Sequence, residues 1–99
     1  MADSLRFHPL VADDLSAATT WYDDISVDLG NRFRQSINAR FDSVGFRPES
    51  FGLVHDKLRA ARVDGFPCLV IFEHNNNVAT IIGVFHAASD PDKWRGRKR

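Results

Sequence analysis

The chain reads as an α+β domain, a helical hairpin packed on an antiparallel sheet in the order β-α-α-β-β-β. Three observations predict it. Two apolar stripes at helical spacing fill residues 11–44 with almost no link between them. Three β-prone runs separated by strong turn signals fill residues 57–85. A short alternating segment precedes the first helix, so helices and strands are segregated along the chain and do not alternate.

Leu5-Arg6-Phe7-His8 alternates apolar and polar residues and stops at Pro9, as a short half-buried strand does. Val11, Leu15, Ala18, Tyr22 and Ile25 then step by three and four, one face of a helix, with Trp21 flanking that face. Asp13 and Asp14 lie in its first turns, where negative charge complements the helix dipole. Ser26 is a fitting cap for a second helix, with Asp28 in its first turn. Leu29, Phe33, Ile37, Phe41 and Val44 form its apolar face, and Gly45 and Pro48 end it. The one-residue scale of the link predicts antiparallel neighbours.

Residues 46–56 read as irregular, anchored by Phe51, Leu53 and Val54. Lys57 to Val63 alternates as a strand, with Leu58, Ala60 and Arg62 on one face and Arg59, Ala61 and Val63 on the other. Asp64-Gly65 is a hairpin signal. Cys68 to Phe72 is a continuous β-prone run, as expected of a strand covered on both faces. Asn75-Asn76-Asn77 turns the chain, and Val78 to Phe85 returns as the last strand, delivering His86 and a polar, basic tail to one edge.

A chain of 99 residues is read as one domain, 1–99, and its 43% hydrophobic and 26% charged residues fit a globular sequence, not a disordered one. No basic start followed by an apolar stretch opens it, and no apolar run approaches the roughly 20 residues that span a bilayer, so the expectation is a cytoplasmic protein without membrane attachment. A single cysteine, Cys68, excludes an internal disulfide and every multi-cysteine metal site. The net charge of zero conceals an asymmetry: residues 93–99 hold five cations and no acid, while the 13 acids share residues 1–92 with the other eight cations. A negative body with a basic tail is ill suited to gripping nucleic acid broadly, since that affinity rests on many phosphate contacts. It suits a protein partner, or one local anionic contact.

The element order, together with Trp21-Tyr22 near the end of helix one, the strand opening Gly65-Phe66-Pro67, and the ending Val84-Phe85-His86 followed by Asp90-Pro91-Asp92-Lys93-Trp94-Arg95, resembles the RelE/ParE superfamily of toxins from bacterial type II toxin–antitoxin pairs, on its ParE-like branch. The ending is similar to the "FH…(D)P…WR" close of ParE-like members. The resemblance spans nearly the whole chain. It implies a toxin silenced by a cognate antitoxin that wraps an extended or helical segment around it, in a heterotetramer or larger complex. ParE-like relatives arrest growth by poisoning DNA gyrase and perform no chemistry of their own, whereas RelE-like relatives cut messenger RNA on the ribosome. A degenerate domain that binds antitoxin without toxicity is a third reading.

RNA cleavage needs a base for the 2′-hydroxyl, an acid for the leaving oxygen and cations for the phosphate charge. RelE-like relatives place arginine on the third strand and further Lys, Arg or Tyr just past the last one. Here those positions read Pro67-Cys68-Leu69 and Ala87-Ala88-Ser89, so the nuclease pattern is broken where charge stabilisation belongs. His86 remains the acid/base candidate, weighed against a histidine that merely hydrogen-bonds the sheet end; with Arg59 or Arg62 it would form the endoribonuclease. Arg59 and Arg62 leave from opposite strand faces, so one is a candidate for an antitoxin carboxylate and the other for a solvated edge charge.

His8, His55 and His74 are scattered, and no metal or cofactor is expected. Asp13-Asp14 and Asp23-Asp24 read as solvated helix faces, and Cys68 as a small core residue. The tail supplies the remaining partner- or target-binding candidates, Trp94, Arg95, Arg97 and Lys98, because aromatic and arginine side chains dominate binding hot spots. Its expected arrangement is Trp94 folded back on the body with the arginines free. The reading is a ParE-like toxin that inhibits gyrase, with the ribosome-dependent nuclease as the alternative.

Overall fold

The computed structural model of the chain describes residues 4–97. Its elements are β1 (Ser4–Phe7), α1 (Val11–Ile25), α2 (Val27–Phe46), β2 (Leu53–His55), β3 (Leu58–Arg62), β4 (Cys68–Asn75), β5 (Val78–His86) and a final helical turn, α3 (Asp92–Arg95). The strands form one sheet in the order β1-β5-β4-β3-β2. From β2 to β5 it is an antiparallel meander, and β1 lies parallel to β5 because the chain crosses one face as the α1–α2 hairpin before rejoining the sheet. No helix among the described residues is long and apolar enough to cross a membrane.

Local chemistry accounts for the joints. Ser26 is extended, and its Oγ accepts the Leu29 N–H at 3.0 Å, so a single residue ends α1 and caps α2. Asn76 and Asn77 both take positive φ, 51° and 64°, the conformation a two-residue hairpin turn requires and asparagine tolerates. Gly65 does the same at φ 81° in the turn before β4.

Two differences from the sequence reading concern short elements. Residues 53–55 pair with β3 as β2, although the segment reads as irregular; three residues are too few for alternation to register. The tail adds α3, whose one turn is equally below the reach of periodicity.

The sheet is covered on both faces. On the helical side Val11, Phe33, Ile37, Phe41 and Val44 pack on Ala61, Val63, Cys68, Val70, Phe72, Ile81 and Val84. Tyr22, Phe33 and Phe66 close one end as a ring cluster with centroids 4.9–5.1 Å apart. On the other side Leu58, Ile71, Ile82 and Phe85 are buried together with Trp94 of α3. The β4–β5 register slips by one residue at Ile71/Phe72, opposite Ile82. This bulge turns both Ile82 and Phe85 to the outer face while Ile81 and Val84 stay on the inner one.

Candidate functional site

A groove of about 650 Å³ opens where α1, the start of β4, the end of β5 and the tail converge. Ala17 and Ala18 of α1 leave room on one wall, and Trp21 stands at the rim, 68% exposed. The sequence reading set Trp21 beside the core stripe; it projects past that stripe toward solvent. Pro67, Cys68, Val84 and Phe85 line the sheet side, and Ser89, Lys93 and Arg97 the tail side.

Asp14 is the largest departure from expectation. It reads as a solvated acid, yet its side chain is only 13% exposed. The cause lies in the sheet: β1 ends at Phe7, opposite Ile81, while β5 runs on to His86. The N–H of Val84, directed away from β4, therefore lacks a strand partner, and Asp14 Oδ2 accepts it at 3.0 Å. The same oxygen accepts from Arg97 Nη1 at 2.5 Å. The Arg97 guanidinium also lies 4.6 Å from the Phe85 ring centroid, over Gly83, where a Cβ would come within 2.6 Å of it. Arg97 is consequently no free cation, which corrects the expectation for it: a largely covered carboxylate and an aromatic face hold it against the body.

Trp94 is 7% exposed, so the folded-back arrangement holds for its ring, which meets His55 edge-on at 6.5 Å. Arg95 is exposed, near Asp92 at 3.6 Å and over the Trp94 ring at 5.7 Å. Lys98 lies outside the described residues.

The two strand arginines do not join the groove. Arg59 shares the inner face with His86 but sits at the far end of the sheet, in register with Phe72, and its Nη1 donates to the Phe51 carbonyl at 2.6 Å. Arg62 is in register with Leu69 and, through it, Phe85, on the outer face, whereas His86 is in register with Cys68. Arg62 is exposed, and its carbonyl accepts from Arg40 Nε at 2.6 Å. An endoribonuclease site built from His86 with either arginine has no geometric basis here.

His86 Nδ1 accepts the Ala88 N–H at 3.1 Å, which leaves the proton of the neutral ring on Nε2. The Tyr22 hydroxyl lies 4.0 Å from Cys68 Sγ, and its pKa is pushed up to about 12, first by burial and then by Cys68. Burial likewise pushes the Cys68 thiol up, partly offset by the contact with Tyr22. Among the described residues no group of three or more His, Cys, Asp or Glu is placed to hold a metal ion.

Sequence reasoning missed Asp14 and Tyr22. For Asp14 the signal was present, since it lies three residues after Val11 and four before Ala18, on the apolar stripe itself. For Tyr22 it was not, because core tyrosines and groove tyrosines share one spacing.

No protein-family model matches the chain, and no curated protein does. Among solved structures, a chain of the chromosomal ParDE TA system from P. aeruginosa superposes with a TM-score of 0.73, covering 84% of this chain and 94% of that one at 16% identity. The likeness is one of fold: the two chains share the α+β architecture of a helical hairpin on a mostly antiparallel sheet.

Proposed function

We propose that this chain is the toxin of a type II toxin–antitoxin pair, that a segment of the cognate antitoxin occupies the groove between α1 and the end of β5, and that the toxin arrests growth by binding DNA gyrase. The observation that carries the partner is the groove itself: an apolar floor with an exposed tryptophan at its rim and Lys93 on one side. Such a surface fits an amphipathic segment that inserts apolar side chains and sets a carboxylate against Lys93. The fold shared with a chain of a ParDE TA system supports the same reading.

The state of the groove favours binding over catalysis. His86 Nδ1 is engaged by the Ala88 N–H; Tyr22 keeps its proton to about pH 12; and Asp14 is already committed to two donors. The gyrase assignment is drawn from the ParE-like resemblance. The nuclease reading retains one favourable observation, that His86, Tyr22 and Lys93 line one groove.

Mapping RNA 5′ ends within minutes of inducing the protein in bacteria separates these readings. Growth arrest with intact messages and trapped gyrase–DNA complexes is the expected result. New ends inside codons of translated messages would replace the gyrase reading with the nuclease. Absence of arrest, with retained binding of a protein encoded beside this chain, would assign the degenerate antitoxin-binding domain.

A further inference from the structure

The tail from Ala87 to Arg97 is attached to the body in an unusual way. Ala87 N–H donates to the Pro67 carbonyl, the last rung of the β4–β5 ladder. Beyond it, the backbone hydrogen bonds of the tail stay within residues 86–97: Ser89 to His86, Lys93 to Asp90, Trp94 and Arg95 to Pro91, Gly96 to Asp92, and Arg97 to Trp94. The Arg95–Asp92 pair is also internal. Apart from Ala88 and Ser89, whose N–H groups donate to His86 at the end of β5, the segment therefore folds on itself and is fastened to the rest of the chain by side chains, chiefly Trp94 in the outer core and Arg97 on Asp14 and Phe85. A four-residue helical turn has no independent stability, so the turn persists only while docked.

We propose that residues 88–97 are a strap that docks and releases as a unit, with Arg97 on Asp14 as its latch. Release uncovers Ile82 and Phe85 on the outer face and removes Lys93 and Arg97 from the groove in the same motion. The groove with Lys93 on its wall and Asp14 neutralised is thus a property of the latched form. A partner that engages this wall favours the latched strap, and by linkage the latch raises the partner's affinity. That consequence rests on the groove being a partner site; the strap and its latch do not.

The test is hydrogen exchange of the intact chain read by peptide mass, comparing the unmodified chain with Arg97→Gln and Arg97→Lys. The expected result is exchange of residues 88–97 at least tenfold faster in Arg97→Gln, with residues 68–86 unchanged and Arg97→Lys intermediate. Unchanged protection of the strap would overturn the latch. Acceleration of strap and strands together would overturn the independent unit. A second reading uses Trp21→Phe, which leaves Trp94 as the single tryptophan: acrylamide quenching of Trp94 should rise in Arg97→Gln below the denaturant concentration that unfolds the sheet, and coincidence of the two would again overturn the unit. Neither measurement contains a partner, so a failure of the groove to bind one leaves the strap result standing, and the reverse also holds.

Discussion

Asp14 and Arg97, 83 residues apart, meet at the place where β1 stops short of β5. One carboxylate oxygen completes the hydrogen bonding of the Val84 N–H and neutralises the guanidinium that fastens the tail. The ends of the domain are thereby tied at the wall of the groove.

Removing that carboxylate should be costly. Asp14→Ala leaves the buried Val84 N–H without a partner and Arg97 without its carboxylate, a loss on the order of 2–4 kcal/mol. Asp14→Asn keeps an acceptor for Val84 and should lose roughly 1 kcal/mol. Denaturant midpoints of the two variants check the order; equal, near-zero losses would mean that the carboxylate makes no net contribution.

How far the fold could be read from sequence depends on the length of each element. The α2 stripe, the α1 stripe as far as Tyr22, the Ser26 cap, the Asn76-Asn77 turn and the face alternation of β3 all have structures that match them, because each rests on several residues or on a backbone conformation few residues adopt. Ile25, the last position of the α1 stripe, is 61% exposed at the helix end. β2 and α3 have three and four residues, too few for a period. The groove was legible only at its edges. His86 and the tail were visible, but Asp14 became functional through a missing strand partner seventy residues away at Val84, and only the sheet register reveals that.

Tyr22 is the sole tyrosine, so an ultraviolet titration reads it directly. The unfolded phenol ionises near 10 and the folded one at about 12. Across that window the unfolded state holds fewer protons than the folded one, so stability is fully present below pH 10 and declines as the pH rises toward 12. Tyr22→Phe should flatten this decline. A folded-state midpoint near 10 would contradict the burial of the hydroxyl. Cys68, whose thiol burial also keeps protonated, should react with a thiol reagent at neutral pH only as fast as the chain opens.

Gly30→Ala sets alanine's better helix propensity against the exposed Asp23–Arg34 pair, which a Cβ would push aside. A Cβ there would stand 1.6 Å from Asp23 Oδ1, where the carboxylate receives both arms of Arg34 at 3.0 and 2.6 Å. Those bonds hold the Asp23 carboxyl below its usual range, so the pair's contribution is present above the unfolded carboxylate pKa and lost as pH falls through the lower folded value. Gly30→Ala should therefore fall short, at neutral pH, of the roughly 1 kcal/mol that alanine gains over glycine inside a helix, and the shortfall should shrink in acid. A full gain at neutral pH would show that the hairpin does not depend on this pair.

The assignment of the groove is decided by separating its rim from its histidine. Trp21 is exposed and its ring is missing from both cores, so Trp21→Ala should leave the denaturant midpoint within about 0.5 kcal/mol of the parent. If the groove receives an antitoxin segment, the same change should weaken that complex by roughly 30-fold or more, the loss expected for a hot-spot aromatic. His86→Gln should leave both the complex and growth arrest in place, because the ring offers a donor to the groove and a local acceptor to Ala88, and an amide can supply both. Binding titrations with the protein encoded beside this chain and growth curves of the two variants measure this. Arrest abolished by His86→Gln with antitoxin binding intact would return the histidine to a catalytic role, whereas full-strength binding by Trp21→Ala would move the antitoxin to another face of the domain.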